Sequence, residues 1–227
     1  MTKKYVVTVD GPAGSGKSTA GRLLAQKLSY VYLDTGALYR AMALKVRTAS
    51  LSPDKREKIA DLCGSTAIAL REREGATRIV LDGEDVTELI RTPEISMFAS
   101  TISALPEVRA ALLSVQRDSA REGGVVAEGR DMGTVVFPGA DVKFFLTASA
   151  GERSRRRWLE LTDRGHEVTL EEVLRDVVQR DRQDSEREIA PLRPSDDGVL
   201  VDSTGKTIDE VVEEMLGAVR RKSSKAL

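Results

Sequence analysis

Ten consecutive residues, Asp10-Gly11-Pro12-Ala13-Gly14-Ser15-Gly16-Lys17-Ser18-Thr19, constrain this chain more than any other stretch. They follow Tyr5-Val6-Val7-Thr8-Val9, an apolar run of the length of a buried parallel strand, and lead into residues 19–28, where Leu23, Leu24 and Leu28 fall at helical spacing. Gly11 to Ser18 match G-x-x-x-x-G-K-[ST] at every defined position, in the strand–loop–helix setting the motif needs. Glycines let backbone N–H groups turn inward around phosphate oxygens, and the helix N-terminus adds partial positive charge. Gly11, Pro12, Ala13, Gly14, Ser15, Gly16, Lys17, Ser18 and Thr19 are therefore the candidate ATP-binding residues. Within them Lys17 reaches toward the β- and γ-phosphates, and the Ser18 hydroxyl is a ligand for Mg²⁺. A P-loop specifies a nucleoside triphosphate and Mg²⁺, but not whether the protein is a kinase, a switch or a motor.

Composition narrows the classes. The chain has 35 basic and 36 acidic residues and a net charge of −1, which argues against a dedicated nucleic-acid binder. Its single cysteine, Cys63, excludes an internal disulfide framework and suits a reducing compartment; it falls in a helical stretch and reads as buried and inert. One histidine, His166, and one cysteine make a zinc site an unattractive reading. The first strand begins at once and no long apolar run follows. The expectation is a cytoplasmic protein without signal peptide or membrane span, and a monomer. A length of 227 residues fits one core with a small insertion.

Further along, Val31-Tyr32-Leu33 reads as a second strand, followed by Asp34-Thr35-Gly36-Ala37-Leu38-Tyr39-Arg40 and a helix to Thr48. By itself Tyr39 suits core packing as well as a ligand contact, and Arg40 suits a solvated face. Ser52-Pro53-Asp54 reads as an N-cap with proline at the first helical position, giving a helix over 53–63. Residues 64–90 change period: short strand-like runs at 66–70 and 78–81 precede an Asp82-Gly83 turn into residues 84–86, a small antiparallel sheet. Helices are expected at 91–104 and 106–122. Val125-Val126-Ala127-Glu128 is a core strand ending in an acid, the place for a carboxylate in the Mg²⁺ shell, directly or through water. Residues 142–147 and 199–202 are further strands. Ser149-x-x-Glu152, Thr169-x-x-Glu172 and Thr207-x-x-Glu210 each carry the capping-box signature. The first opens an arginine-rich helix in which Arg153, Arg156 and Arg157 share a face, while Arg155 reads as solvated. With the basic 169–187 helix behind a short turn, it makes a candidate lid.

The expected fold is α/β: a five-stranded parallel sheet with helices on both faces, a small antiparallel insert and a helical lid. The expected division is a core of residues 1–63, 91–149 and 191–227, an insert at 64–90 and a lid at 150–190.

A GTP-dependent switch usually carries an Asn-Lys-x-Asp loop, and this chain has no asparagine. An ATPase module working on a macromolecule needs more chain than core, insert and lid leave over. A kinase for a small anionic acceptor accounts best for the scattered arginines. Residues 10–19, Leu33–Arg40, Asp82-Gly83-Glu84-Asp85-Val86, Ile90-Arg91-Thr92 and Glu128-Gly129-Arg130-Asp131-Met132-Gly133-Thr134-Val135-Val136 carry a narrower signal. So do Glu152-Arg153, Arg180-Asp181, Ala190-Pro191-Leu192 and Asp202-Ser203-Thr204. Together they resemble the bacterial cytidylate kinases, a branch of the nucleoside-monophosphate kinases, over residues 5–218. Thr35 stands where serine often stands in that family, and Glu128 where aspartate often does; both keep the needed chemistry.

The resemblance implies phosphorylation of CMP, and dCMP, by ATP with Mg²⁺. It places Thr35, Tyr39 and Arg40 in the monophosphate pocket and Ser100, Arg109 and Asp131 on the cytosine ring. It puts Arg130 and Arg187 on the acceptor phosphate, Arg180 and Asp184 on the ribose, and Arg153, Arg156 and Arg157 on the transferring phosphoryl group beside Lys17. Cytosine offers an amine donor beside a ring-nitrogen acceptor, so Asp131 with Ser100 suits the amine and Arg109 the ring nitrogen and carbonyl. An ion pair between Asp131 and Arg109 that shapes the pocket is the alternative.

Overall fold

The computed structural model describes residues 4–73 and 76–224. Its polypeptide packs as two compact units: the first runs to Leu33 and resumes at Ala120, and the second is Asp34–Ser119.

The first unit is built on β1 (Val6–Asp10), β2 (Val31–Asp34), β6 (Val125–Gly129), β7 (Val142–Thr147) and β8 (Val199–Asp202), hydrogen-bonded in the order β2-β6-β1-β7-β8. β1 pairs in parallel with β6, Val9 opposite Glu128 and Asp10 opposite Gly129, and with β7, Asp10 opposite Phe145. β7 pairs in parallel with β8. Residues beyond the carboxyl ends of these strands therefore come to one edge of the sheet, where α/β folds place their ligands.

The P-loop follows β1, Gly129–Asp131 closes β6, Ser149 follows β7 and Ser203 follows β8. Helix α1 (Lys17–Leu28) packs on β6 and on α8 (Ile208–Ser224). The stripe Val211, Val212, Met215, Leu216 and Val219 of α8 is buried in the same core as Val7, Val9, Leu24, Phe144 and Leu146. Helices α6 (Ala150–Asp163) and α7 (Leu170–Glu186) form a hairpin with a small core of their own: Leu161, Val173 and Val177, flanked by Trp158 and Val168. The Trp158 indole N–H donates to the Val168 carbonyl at 3.0 Å.

The second unit holds α2 (Thr35–Thr48), α3 (Arg56–Ser65), α4 (Pro93–Ile102) and α5 (Pro106–Asp118). It also holds the antiparallel sheet β3 (Ile68–Arg73), β4 (Ala76–Leu81) and β5 (Glu84–Asp85). Leu38, Met42, Val46, Ile59, Ile90, Ile102 and Leu112 are its centre, with Cys63 buried beside them. The expected turn is present: Asp82 and Gly83 both take positive φ, 50° and 92°, as a tight hairpin with right-handed strand twist requires. Residues 74 and 75, between β3 and β4 in the chain, lie outside the described residues.

Some local readings are displaced. The helix expected at 53–63 begins at Arg56 and runs to Ser65, because the Ser52 hydroxyl bonds the Asp54 carboxylate instead of capping a helix. Helix α4 starts at Pro93 with Thr92 as its cap, and α5 ends at Asp118. The Ser149 cap is only half a capping box: its hydroxyl accepts from the Glu152 N–H, but the Glu152 carboxylate turns to Arg155 and Arg156. Thr169 and Thr207 form the reciprocal bonds in full. Residues Met132–Val136, which follow β6, form a π-helical turn. No single helix among the described residues is long and apolar enough to cross a membrane.

Candidate active site

The P-loop is shaped by close approach. Gly11 has φ 155°, and a Cβ there would stand 2.0 Å from the Leu146 carbonyl oxygen, so no other residue fits between β1 and β7. Gly16, in the left-handed region, turns the chain into α1 at Lys17. Lys17 is 5 % exposed, and its ammonium donates to the Pro12 carbonyl at 3.1 Å and lies 3.6 Å from the Glu128 carboxylate. Burial, with Arg130 adding repulsion, pulls its pKa down to about 7 against the attraction of Glu128.

The Ser18 hydroxyl donates to the second candidate metal residue, Glu128, at 2.7 Å. The other Glu128 oxygen accepts from the Tyr32 hydroxyl on β2. No group of three or more His, Cys, Asp or Glu side chains among the described residues could cage a metal. One hydroxyl and one carboxylate suit Mg²⁺, a hard ion that takes much of its shell from phosphate oxygens and water.

Two P-loop carbonyls, those of Ala13 and Ser15, meet arginines of α6. Arg153 donates to the Ala13 carbonyl at 3.0 Å and Arg156 to the Ser15 carbonyl at 3.4 Å. Both guanidiniums are held from behind. Arg153 is forked onto the Asp181 carboxylate at 3.0 and 2.5 Å, and Arg156 bonds Glu152, the Ser203 hydroxyl and the Ser203 carbonyl. Ser203 in turn donates to the Ser15 carbonyl at 3.0 Å. Arg157, on the same helix, pairs with Glu160 instead. Arg155 is exposed and pairs with Glu152.

A second cluster follows β6. Arg130 pairs with Asp184 at 2.7 Å, and Arg187 lies 3.7 Å from Asp131, all four side chains largely or wholly buried. Burial pushes the Asp184 carboxyl up, but Arg130, Arg180 and Arg187 outweigh it and hold the group below the usual carboxylate range. Arg130, Asp131, Arg180, Asp184 and Arg187 are thus assembled as one group of three guanidiniums and two carboxylates.

In the second unit Asp34 caps α2, accepting from the Ala37 N–H and from Arg40, each at 2.9 Å. Thr35 is buried at the first turn of that helix. Tyr39 is a core residue and also a platform, since the Arg109 guanidinium carbon lies 5.7 Å from its ring centroid. Arg109 donates to the Ser103 carbonyl at 3.3 Å, and the Ser103 hydroxyl to the Ser100 carbonyl at 2.8 Å. Thr35, Tyr39, Arg40, Ser100 and Arg109 therefore share one unit.

Four residues with specific partners carried no role in the sequence reading: Asp10, Tyr32, Asp181 and Ser203. An acid opening the P-loop and a polar residue closing a strand were the available signals. Their partners are 28 to 188 residues away along the chain, which no local pattern reveals.

The family model for cytidylate kinase matches residues 7–221. A cytidylate kinase of Geobacter sulfurreducens is 53 % identical over 217 residues, covering 96 % of this chain and 93 % of its own. One of Carboxydothermus hydrogenoformans is 51 % identical over 217 residues, covering 96 % and 98 %. Among solved structures, an uncharacterized protein from Eubacterium ventriosum superposes with a TM-score of 0.52 at 9 % identity, covering 96 % of this chain and 99 % of its own; it shares the fold alone. With a strand–P-loop–helix, a carboxylate beside its serine and relatives matched nearly end to end, the chain belongs to the cytidylate kinase family.

Proposed function

We propose that this protein transfers the γ-phosphoryl group of ATP to CMP and dCMP, giving ADP and CDP or dCDP. The observation that carries the reading is the P-loop lysine and the Ser18–Glu128 pair at the same sheet edge as the Arg130–Asp184, Arg187–Asp131 cluster. An acceptor phosphate oxygen is already anionic at neutral pH, so no general base is required. It forms a new bond to the γ-phosphorus while the bond from that phosphorus to the β,γ-bridging oxygen breaks, and ADP leaves with the electron pair. Catalysis is then in-line positioning and stabilisation of charge.

Residues 11–19 hold ATP, and Lys17 with Arg153, Arg156 and Arg157 supplies positive charge at the transferring group. Ser18, with Glu128 directly or through water, holds Mg²⁺, which neutralises phosphate charge when bound. Thr35, Tyr39 and Arg40 line the monophosphate pocket, Arg130 and Arg187 hold its phosphate, and Arg180 and Asp184 contact the ribose. Ser100, Arg109 and Asp131 read cytosine. We take residues 150–190 as a lid that excludes water, 64–90 as an insert on the monophosphate side, and the remainder as the core. We take the protein as a monomer working in the cytoplasm on two nucleotides, without membrane, and the near-zero net charge supports the absence of a nucleic-acid partner.

Coupled ADP release across CMP, dCMP, UMP, AMP, GMP and shikimate tests the reading. CMP and dCMP should be used. UMP should fall by about 10²–10⁴ in kcat/KM, because uracil leaves the groups that read cytosine without partners. Turnover of shikimate in preference to every nucleotide would sink the proposal.

A further inference from the structure

Asp10 is the last residue of β1, one step before the P-loop, and is 4 % exposed. The reaction as proposed gives it nothing to do. Its two oxygens accept from consecutive backbone N–H groups, Met132 to Oδ1 and Gly133 to Oδ2, each at 2.8 Å. Those peptides open the π-helical turn that directly follows Arg130 and Asp131. The register explains the reach: Asp10 sits opposite Gly129, the last residue of β6, so its side chain meets the segment leaving the neighbouring strand.

The approach is tight enough that a side chain on Gly133 would have to displace its neighbours. A Cβ on Gly133 would stand 3.0 Å from the Thr8 hydroxyl, 3.2 Å from Lys143 Cδ and 3.4 Å from Asp10 Oδ2. A buried carboxyl group whose two oxygens accept from adjacent N–H groups fixes both peptide planes, because turning either one strands a buried donor and a buried acceptor without partners. The plane between Asp131 and Met132 is one of the two.

We infer that Asp10 is a positioning residue for the acceptor nucleotide: by holding the Met132 and Gly133 peptides it sets where Arg130 and Asp131 point. It is a residue of the donor strand, yet its hydrogen bonds are spent on the acceptor loop. The P-loop itself is held from elsewhere, by Lys17 on the Pro12 carbonyl, Arg153 on Ala13 and Ser203 on Ser15. Loss of the carboxylate should therefore weaken the binding of CMP more than that of ATP. The inference rests on CMP as the acceptor.

The test is Asp10→Asn, which keeps the volume and one acceptor oxygen but turns an N–H toward one of the two peptides. Calorimetry gives the Kd of CMP without ATP and of ATP without CMP, and kinetics gives the preference for CMP over UMP. The expected result is a CMP Kd raised about tenfold or more, a CMP-to-UMP preference narrowed by a similar factor and an ATP Kd within about threefold of wild type. Asp10→Ser, with one acceptor and no opposing N–H, should fall between the two; it carries the test if the Asn variant melts too low to assay. An ATP Kd that rises as much as that of CMP, or CMP binding left unchanged in a folded variant, overturns the inference. Wild-type protein runs alongside: failure to phosphorylate CMP overturns the functional reading and the inference with it, whereas an active wild type with an unaffected variant overturns the inference alone.

Discussion

At the scale of single residues the donor side turns on Lys17. Its ammonium is buried against the Pro12 carbonyl and close to Glu128, a setting that favours a charge only when phosphate charge is matched to it. Lys17→Ala should lower kcat by about 10³-fold or more, since the lost charge acts most strongly on the transition state. The Kd of CMP, measured without ATP, should stay within about threefold. Single-turnover phosphoryl transfer within tenfold of wild type would show that Lys17 does not touch the transferring group.

At the scale of elements, α5 carries a buried polar side chain at a cost to stability. Gln116 is 1 % exposed, and neither its amide nitrogen nor its amide oxygen has a hydrogen-bond partner among the described residues. A buried polar group without partners costs about 1–3 kcal/mol, while an apolar side chain of like volume keeps the packing. Gln116→Met should raise the free energy of unfolding by about 1 kcal/mol or more, read from the urea midpoint at unchanged slope. A lower midpoint would mean that the amide is bonded in solution. The α6–α7 hairpin is an element of another kind. Its small core is its own, and Arg153 and Arg156 tie only the first turns of α6 to the P-loop. Hydrogen exchange over residues 150–190 should slow when ATP and CMP are both added, most beyond Arg157. Equal protection with and without nucleotides would rule out a lid.

For the whole molecule, Asp10 makes global stability depend on pH. Burial pushes its carboxyl up to about 7 in spite of the two backbone N–H donors, with Asp131 opposing and Arg130 favouring its ionisation. Between about pH 4 and 7 the folded chain keeps this proton and the unfolded chain does not. The stabilisation is thus complete below the unfolded pKa and is lost as pH rises through the folded one, with at most about 4 kcal/mol involved. Asp184 works in the opposite sense, because its carboxyl is held below the ordinary range and its contribution is lost only as pH falls past that range. The interval from pH 5 to 6 therefore isolates Asp10, since Lys17, with its pKa pulled down to about 7, begins to titrate only above it. Urea midpoints should fall across it in the wild type and change much less in Asp10→Asn; parallel curves for the two proteins would remove Asp10 from the account.

Sequence alone determined what depends on neighbours a few residues away. The strand–P-loop–helix was legible because glycine positions and helical spacing are local demands, and so were the Thr169 and Thr207 caps and the Asp82-Gly83 turn. Local rules failed where another local partner won: Ser52 bonded Asp54, and Glu152 went to two arginines rather than back to Ser149. Ser18 and Glu128 were both legible as residue types, but their meeting was not, for they are 110 positions apart. The strand order β2-β6-β1-β7-β8 decided it, by seating β6 between the strand bearing Tyr32 and the one leading into the P-loop. The same order set Asp10 opposite Gly129 and brought Ser203 to Ser15 across 188 residues. Periodicity states which face of a strand is buried, not which strand lies beside it, because pairing is settled by packing the whole sheet against its helices.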